Sequence, residues 1–177
     1  MDEFWVFGYG SLMWNPGFDY VEHDHATVFG YRRSLCVHSW VHRGTQERPG
    51  LVLGLDRGGS CRGMAFRVAL QDRDDVLDYL RARELVTNVY LERQVPLRLN
   101  GGRRATAVAY VVDRTHQQYA GALHAVDAAR VVNESIGRSG RNDAYVFNTL
   151  AHLHEMGIRD RWLEEVAGEV ERMRTPR

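Results

Sequence analysis

Phe4-Trp5-Val6-Phe7-Gly8-Tyr9-Gly10-Ser11-Leu12 opens the chain with aromatic and β-branched residues that run into glycines. Phe4 to Tyr9 therefore reads as a short buried strand. Two glycines flanking one residue behind a strand let the backbone turn tightly and aim its N–H groups at a ligand. Those groups suit a carboxylate or a developing oxyanion, although a plain glycine turn closing a strand is the simpler local reading. A dinucleotide fingerprint does not fit: Met13 stands where a third glycine or alanine belongs, and Asn15-Pro16-Gly17 interrupts the helix that should follow. Ser11 lacks the G-x-S-x-G elbow of a nucleophile, because Leu12-Met13 follows it. Its expected part is hydrogen bonding to a ligand or to the turn.

Outward from this segment, Val28 to His38 and Leu51 to Leu55 read as further strands. Arg57-Gly58-Gly59-Ser60 is a turn signal with the alternating run Cys61 to Val68 behind it, which predicts a hairpin. The period then changes. Asp72 to Glu84 places Val76, Leu77 and Leu80 at helical spacing, with acids early and arginines late. Tyr90 to Leu99 and Thr106 to Val112 are β-like and joined across Asn100-Gly101-Gly102. Helices are expected over Ala125 to Ile136, Asp143 to Met156 and Asp160 to Met173. Strands first and helices last argue for an α+β fold, not a repeating βαβ sheet. One domain over 1–177 is expected, with a loose tail from about Arg172.

The 177 residues are 44% hydrophobic, enough for one domain with a real core. Lys plus Arg and Asp plus Glu both total 23, so the formal net charge is zero. That balance, without a basic stripe, excludes a nucleic-acid footprint. No apolar run approaches the length of a membrane span, and Phe4 to Phe7 is too short for a signal-peptide core. Cys36 and Cys61 read as buried small hydrophobes in a reducing compartment, so the expectation is a cytoplasmic protein. Monomer and homodimer are both compatible with this sequence.

Glu84 sits at a helix C-terminus, where the negative end of the dipole raises a carboxylate's pKa. It is either tuned as a proton carrier or paired with Arg81 or Arg83, and locally the ion pair is the simpler reading. Glu47, Glu92 and Glu134 compete as acids: Glu47 lies in a loop of mixed charge, Glu92 is read as facing solvent beside Arg93 on a strand, and Glu134 as a surface residue of the late helix. Eight histidines invite a metal reading, but His23-x-His25, His152-x-His154 and the spacing of His38 and His42 match no ligand motif. No metal and no other cofactor is expected.

The run Trp5-Val6-Phe7-Gly8-Tyr9-Gly10-Ser11-Leu12-Met13-Trp14 resembles the opening of the ChaC-like γ-glutamylcyclotransferases. The likeness continues through His42-Arg43-Gly44, Pro49-Gly50, Tyr79-Leu80 with Arg83-Glu84, and Ser139-Gly140-Arg141-Asn142 with Tyr145. The resemblance implies a small mixed β-barrel wrapped by helices. It implies cleavage of a small-molecule substrate, glutathione in this branch, to 5-oxoproline and Cys-Gly without cofactor. Other γ-glutamyl peptides or amines, or binding without turnover, are the alternatives. It places the γ-glutamyl group against Val6, Phe7, Gly8, Tyr9, Gly10, Ser11 and Leu12, and makes Glu84 the acid–base residue. One departure stands out: the family usually has a glycine shortly before the tyrosine after Arg-Glu, whereas this chain reads Val86-Thr87-Asn88-Val89-Tyr90. Asn88 tolerates the left-handed conformation better than most residues, so the loop is expected to survive.

Overall fold

The computed structural model describes residues 2–176; Arg177, at the end of the expected tail, lies outside them. By its internal contacts the chain divides into two compact units. The first holds the residues up to Arg33 together with Leu55–Asp113, and the second holds Ser34–Gly54 together with the residues from Arg114 on.

Five strands close into a barrel: β1 (Phe4–Gly8), β2 (Glu22–Ser39), β3 (Gly50–Val68), β4 (Tyr90–Leu99) and β5 (Arg104–Val112), in the order β1-β3-β2-β4-β5. β1 runs antiparallel to β3, with Val6 opposite Phe66, and parallel to β5, with Val6 opposite Val108. This makes the barrel mixed, as expected. β4 and β5, the two β-like runs expected on either side of Asn100-Gly101-Gly102, pair antiparallel, Tyr90 facing Val112 and Arg98 facing Arg104. β1 is buried along its whole length, which explains its unbroken apolar reading.

The predicted hairpin within 51–68 does not form. β3 is one continuous strand, and Gly58 and Gly59, at φ 103° and 68°, bend it without reversing it. They lie against Arg32 of β2, whose Nη1 donates to the Arg57 carbonyl at 2.7 Å. A glycine pair in the left-handed region thus sits inside a continuous barrel strand as readily as in a hairpin turn, and the local sequence is the same for both. β1 and β3 also press together closely. A methyl at Gly63 would stand 2.2 Å from the Gly8 carbonyl oxygen and 2.8 Å from the Phe7 ring.

Helix α1 (Arg73–Glu84) packs its Val76, Leu77 and Leu80 onto Phe4, Val6, Val68, Val108 and Tyr110, in one buried cluster that also takes in Leu12. In the second unit lie α2 (Ala125–Glu134), the short β6 (Ile136–Gly137) and β7 (Gly140–Arg141), α3 (Asn142–Glu155) and α4 (Arg161–Arg174). α2 ends before Ile136, which the periodicity had placed in the helix, because Ser135 turns extended and the chain enters the β6–β7 hairpin. α4 continues through the expected tail to Arg174, whose guanidinium bonds Asp143 and stacks over Phe147. The Asp160 side chain caps α4 by accepting from the Leu163 N–H at 3.0 Å.

Motif residues of the second unit have structural partners. Asn142 bonds both the N–H and the carbonyl of Leu51 at 2.8 Å each, and the Tyr145 hydroxyl accepts from the Leu53 N–H at 3.0 Å. His42 Nδ1 meets Ser139 Oγ at 2.9 Å, and Arg43 lies over the Tyr145 ring. Among the described residues no helix is long and apolar enough to cross a membrane.

Candidate active site

β1 ends at Gly8 and the chain tightens into a single 3-10 turn over Ser11–Met13. The Met13 N–H donates to the Gly10 carbonyl at 2.9 Å, and the Asn15 N–H to the Ser11 carbonyl at 2.8 Å. The N–H groups of Ser11 and Leu12 precede the first bond of the turn and have no acceptor within it. Val6, Phe7 and Leu12 are buried with the core, so their side chains are committed to packing. What the segment offers a ligand is main chain, together with the part-exposed Gly10 and the exposed Ser11. Tyr9 is buried, and its carbonyl accepts from Arg33 Nε at 2.6 Å; Arg33 also reaches the Arg62 carbonyl at 2.7 Å. That buried arginine anchors the loop from beneath. No local signal in the sequence distinguished it from the surface arginines.

Gly10 adopts φ −137°, outside the left-handed region, so glycine there is not a matter of backbone handedness. Gly17, farther along, is left-handed at φ 76°, and a methyl on it would collide with the Tyr79 hydroxyl at 2.0 Å.

Glu84 closes α1. It follows Leu80 by one helical turn, so the face that buries Val76, Leu77 and Leu80 also carries the carboxylate inward. Its side chain is 18% exposed, and burial pushes the carboxyl above the ordinary glutamate range, with the Arg83 guanidinium partly opposing. Arg83 Nε lies 3.4 Å from Glu84 Oε1, and Arg83 Nη2 donates to Ser11 Oγ at 3.0 Å. The glycine loop and Glu84 are therefore joined through a single guanidinium. Glu84 thus has Arg83 as its partner, and burial raises the proton affinity of its carboxyl. The left-handed Asn88, at φ 58°, carries the chain from α1 into β4, as expected of the residue standing near the missing glycine.

Glu92 is not the solvated strand residue anticipated. Arg81 holds both its carboxylate oxygens at 2.9 Å, and the Tyr110 hydroxyl donates to Oε2 at 3.0 Å. The Arg81 bonds keep this carboxyl below the usual range, whereas burial and the neighbouring carboxylates raise the Tyr110 phenol. Two glutamates on adjoining elements thus have opposite proton affinities, and the raised one is Glu84. Glu47 and Glu134 are exposed. His154 pairs with Glu164 at 3.0 Å and His152 with Glu155 at 3.8 Å. Among the described residues no three His, Cys, Asp or Glu gather in a way that could hold a metal.

A closed five-stranded barrel, with a largely buried helix-borne glutamate joined through an arginine to the loop behind the first strand, defines a mixed α+β protein. Comparison with known proteins narrows this. The model of the ChaC-like protein family matches residues 4–173. The glutathione-specific γ-glutamylcyclotransferase of Escherichia coli (strain K12) is 32% identical over 169 residues, covering 96% of this chain and 73% of the relative. That of Schizosaccharomyces pombe is 31% identical, with 86% and 83% covered. The crystal structure of a glutathione-specific γ-glutamyl cyclotransferase from yeast shares the fold at a TM-score of 0.84, with 22% identity and 98% of each chain covered. The chain belongs to the ChaC-like protein family.

Proposed function

We propose that this protein is a γ-glutamylcyclotransferase that cleaves glutathione to 5-oxoproline and Cys-Gly, with Glu84 as general base and then general acid. The observation that carries the reading is the inward, burial-raised carboxyl of Glu84, tied through Arg83 to the loop that follows β1. The names of the relatives support glutathione as the substrate.

The chemistry asks little of the protein. The α-amine of a γ-glutamyl group attacks its own γ-carbonyl carbon, the five-membered lactam closes, and the bond to the cysteine nitrogen breaks. Intramolecular attack in a held geometry reaches effective molarities of roughly 10⁵–10⁸ M, so no enzyme nucleophile is required. The attacking amine loses a proton and the departing nitrogen gains one; one carboxylate performs both transfers. A carboxyl whose proton affinity is raised by burial suits that exchange better than an ordinary glutamate. The Ser11 and Leu12 N–H groups provide donors for the oxyanion that forms on the γ-carbonyl oxygen.

The family match runs through both compact units, which supports reading residues 1–177 as one functional domain. Cys36 and Cys61 are buried, 25 residues apart in the sequence, and as small apolar side chains they support a reducing, cytoplasmic setting. The test is direct: purified protein with reduced glutathione should release 5-oxoproline and Cys-Gly in equal amounts, with no water consumed. Release of free glutamate instead would mean hydrolysis and would overturn the lactam mechanism.

A further inference from the structure

Helix C-termini commonly carry arginines that serve the helix's own last carbonyls. Arg83 is turned elsewhere. Its Nη1 donates to the Asn15 carbonyl at 2.7 Å, the Pro16 carbonyl at 3.2 Å and the Tyr79 hydroxyl at 3.1 Å. Its Nη2 donates to Ser11 Oγ and its Nε faces Glu84. Every nitrogen of the fork is engaged, and most of its partners belong to residues 11–16. We propose that Arg83 is a positioning residue, which holds the 11–16 turn and the Glu84 carboxylate in one fixed arrangement. As a statement about turnover this rests on the function proposed above; as a statement about the site it stands on the geometry.

A planar fork with five N–H groups reaches three directions at once, which a lysine ammonium on a flexible stem does not. The charge and the shape of Arg83 should therefore separate experimentally. Charge acts on Glu84, and shape acts on the turn. The other groups facing Glu84 are few. On β5 stands Tyr110, its hydroxyl bound to Glu92 of β4, and Arg81 is spent on that same Glu92. Arg83 is thus the cation that acts on the Glu84 carboxyl, against the burial that raises it.

Arg83→Gln and Arg83→Lys separate the two roles, with Glu84→Gln identifying the Glu84 signal in a ¹³C-glutamate NMR titration. Arg83→Gln should move the Glu84 midpoint upward, since burial then acts unopposed, and the acid limb of kcat against pH should move with it. Arg83→Lys should leave that midpoint near wild type yet lower kcat roughly 10- to 100-fold, the equivalent of one lost charge-assisted hydrogen bond. A Glu84 midpoint unmoved in folded Arg83→Gln overturns the proposal. If that variant does not fold, wild-type kcat in Arg83→Lys overturns it instead. Wild-type protein inactive on glutathione would refute the proposed function, while a shifted Glu84 midpoint in Arg83→Gln would still support the hold of Arg83 on the carboxylate.

Discussion

Replacing Glu84 with glutamine keeps the shape of the side chain and removes both its charge and its capacity to carry a proton. Two effects of opposite sign follow. Turnover should fall by roughly 10²–10⁴-fold, the usual contribution of a positioned acid–base group. Stability at neutral pH should rise. The Glu84 carboxylate is largely buried, and its Arg83 contact at 3.4 Å is longer than the 2.7–2.9 Å typical of a strong charge-assisted bond, so pairing offsets only part of the desolvation. A carboxyl raised in the folded state binds its proton more tightly there than in the unfolded chain. Folding stability from this group is therefore lowest above the folded pKa and recovers as pH falls toward the unfolded value near 4.5. Glutamine has no such cost. The variant should melt above wild type at pH 7, on a scale of about 2–4 °C per kcal/mol for a chain of this size, and the gap should narrow on acidification. Calorimetry at several pH values, alongside 5-oxoproline release, measures both. Activity within about tenfold of wild type, or a gap that widens as pH falls, would refute the reasoning.

Gly10→Ala should lower kcat/KM more than Ser11→Ala by placing a methyl where the ligand approaches the main chain, and melting temperatures measured alongside should be nearly unchanged. Ser11→Ala removes one acceptor from Arg83 and should cost roughly 3- to 10-fold in kcat; loss as complete as in Glu84→Gln would assign the chemistry to the hydroxyl. Glu92→Gln should destabilise the fold by about 1–3 kcal/mol through its bonds to Arg81 and Tyr110, measured by denaturant unfolding. Because the Glu92 carboxyl is held below its ordinary range, the stability it contributes should disappear as pH falls through that lowered value, so an Glu92→Gln penalty that persists in strong acid would contradict the assignment.

The order of elements was legible because burial writes period into sequence: β1, α1, β4 and the three late helices lie close to where alternation and helical spacing put them. The candidate site was legible in part. The glycines behind β1 and the acid at the end of α1 could be named, and the same spacing that buries Val76, Leu77 and Leu80 also carries Glu84 inward. What brings them together was not legible. Arg83 and Arg33 reach their partners across long stretches of chain, and nothing local separates them from exposed arginines. Glu92 was misread for the same reason: its partners, Arg81 and Tyr110, sit on other elements. The Gly58-Gly59 pair misled because left-handed glycines occur both in turns and within this continuous strand, and the local sequence does not decide between them.

The tight approach at Gly63 bears on how this sequence can drift. At Gly17 the obstacle to a methyl is the tip of the Tyr79 side chain, hydroxyl and ring, which a second mutation to alanine would remove, leaving only the left-handed φ to satisfy. At Gly63 the nearest obstacle is the carbonyl oxygen of residue 8, which is present whatever residue stands there. No partner substitution can relieve it. In a library randomised at 8, 17, 63 and 79 and selected for folded protein, position 79 should diversify while 63 returns glycine alone, an immobility imposed by the backbone of its neighbour.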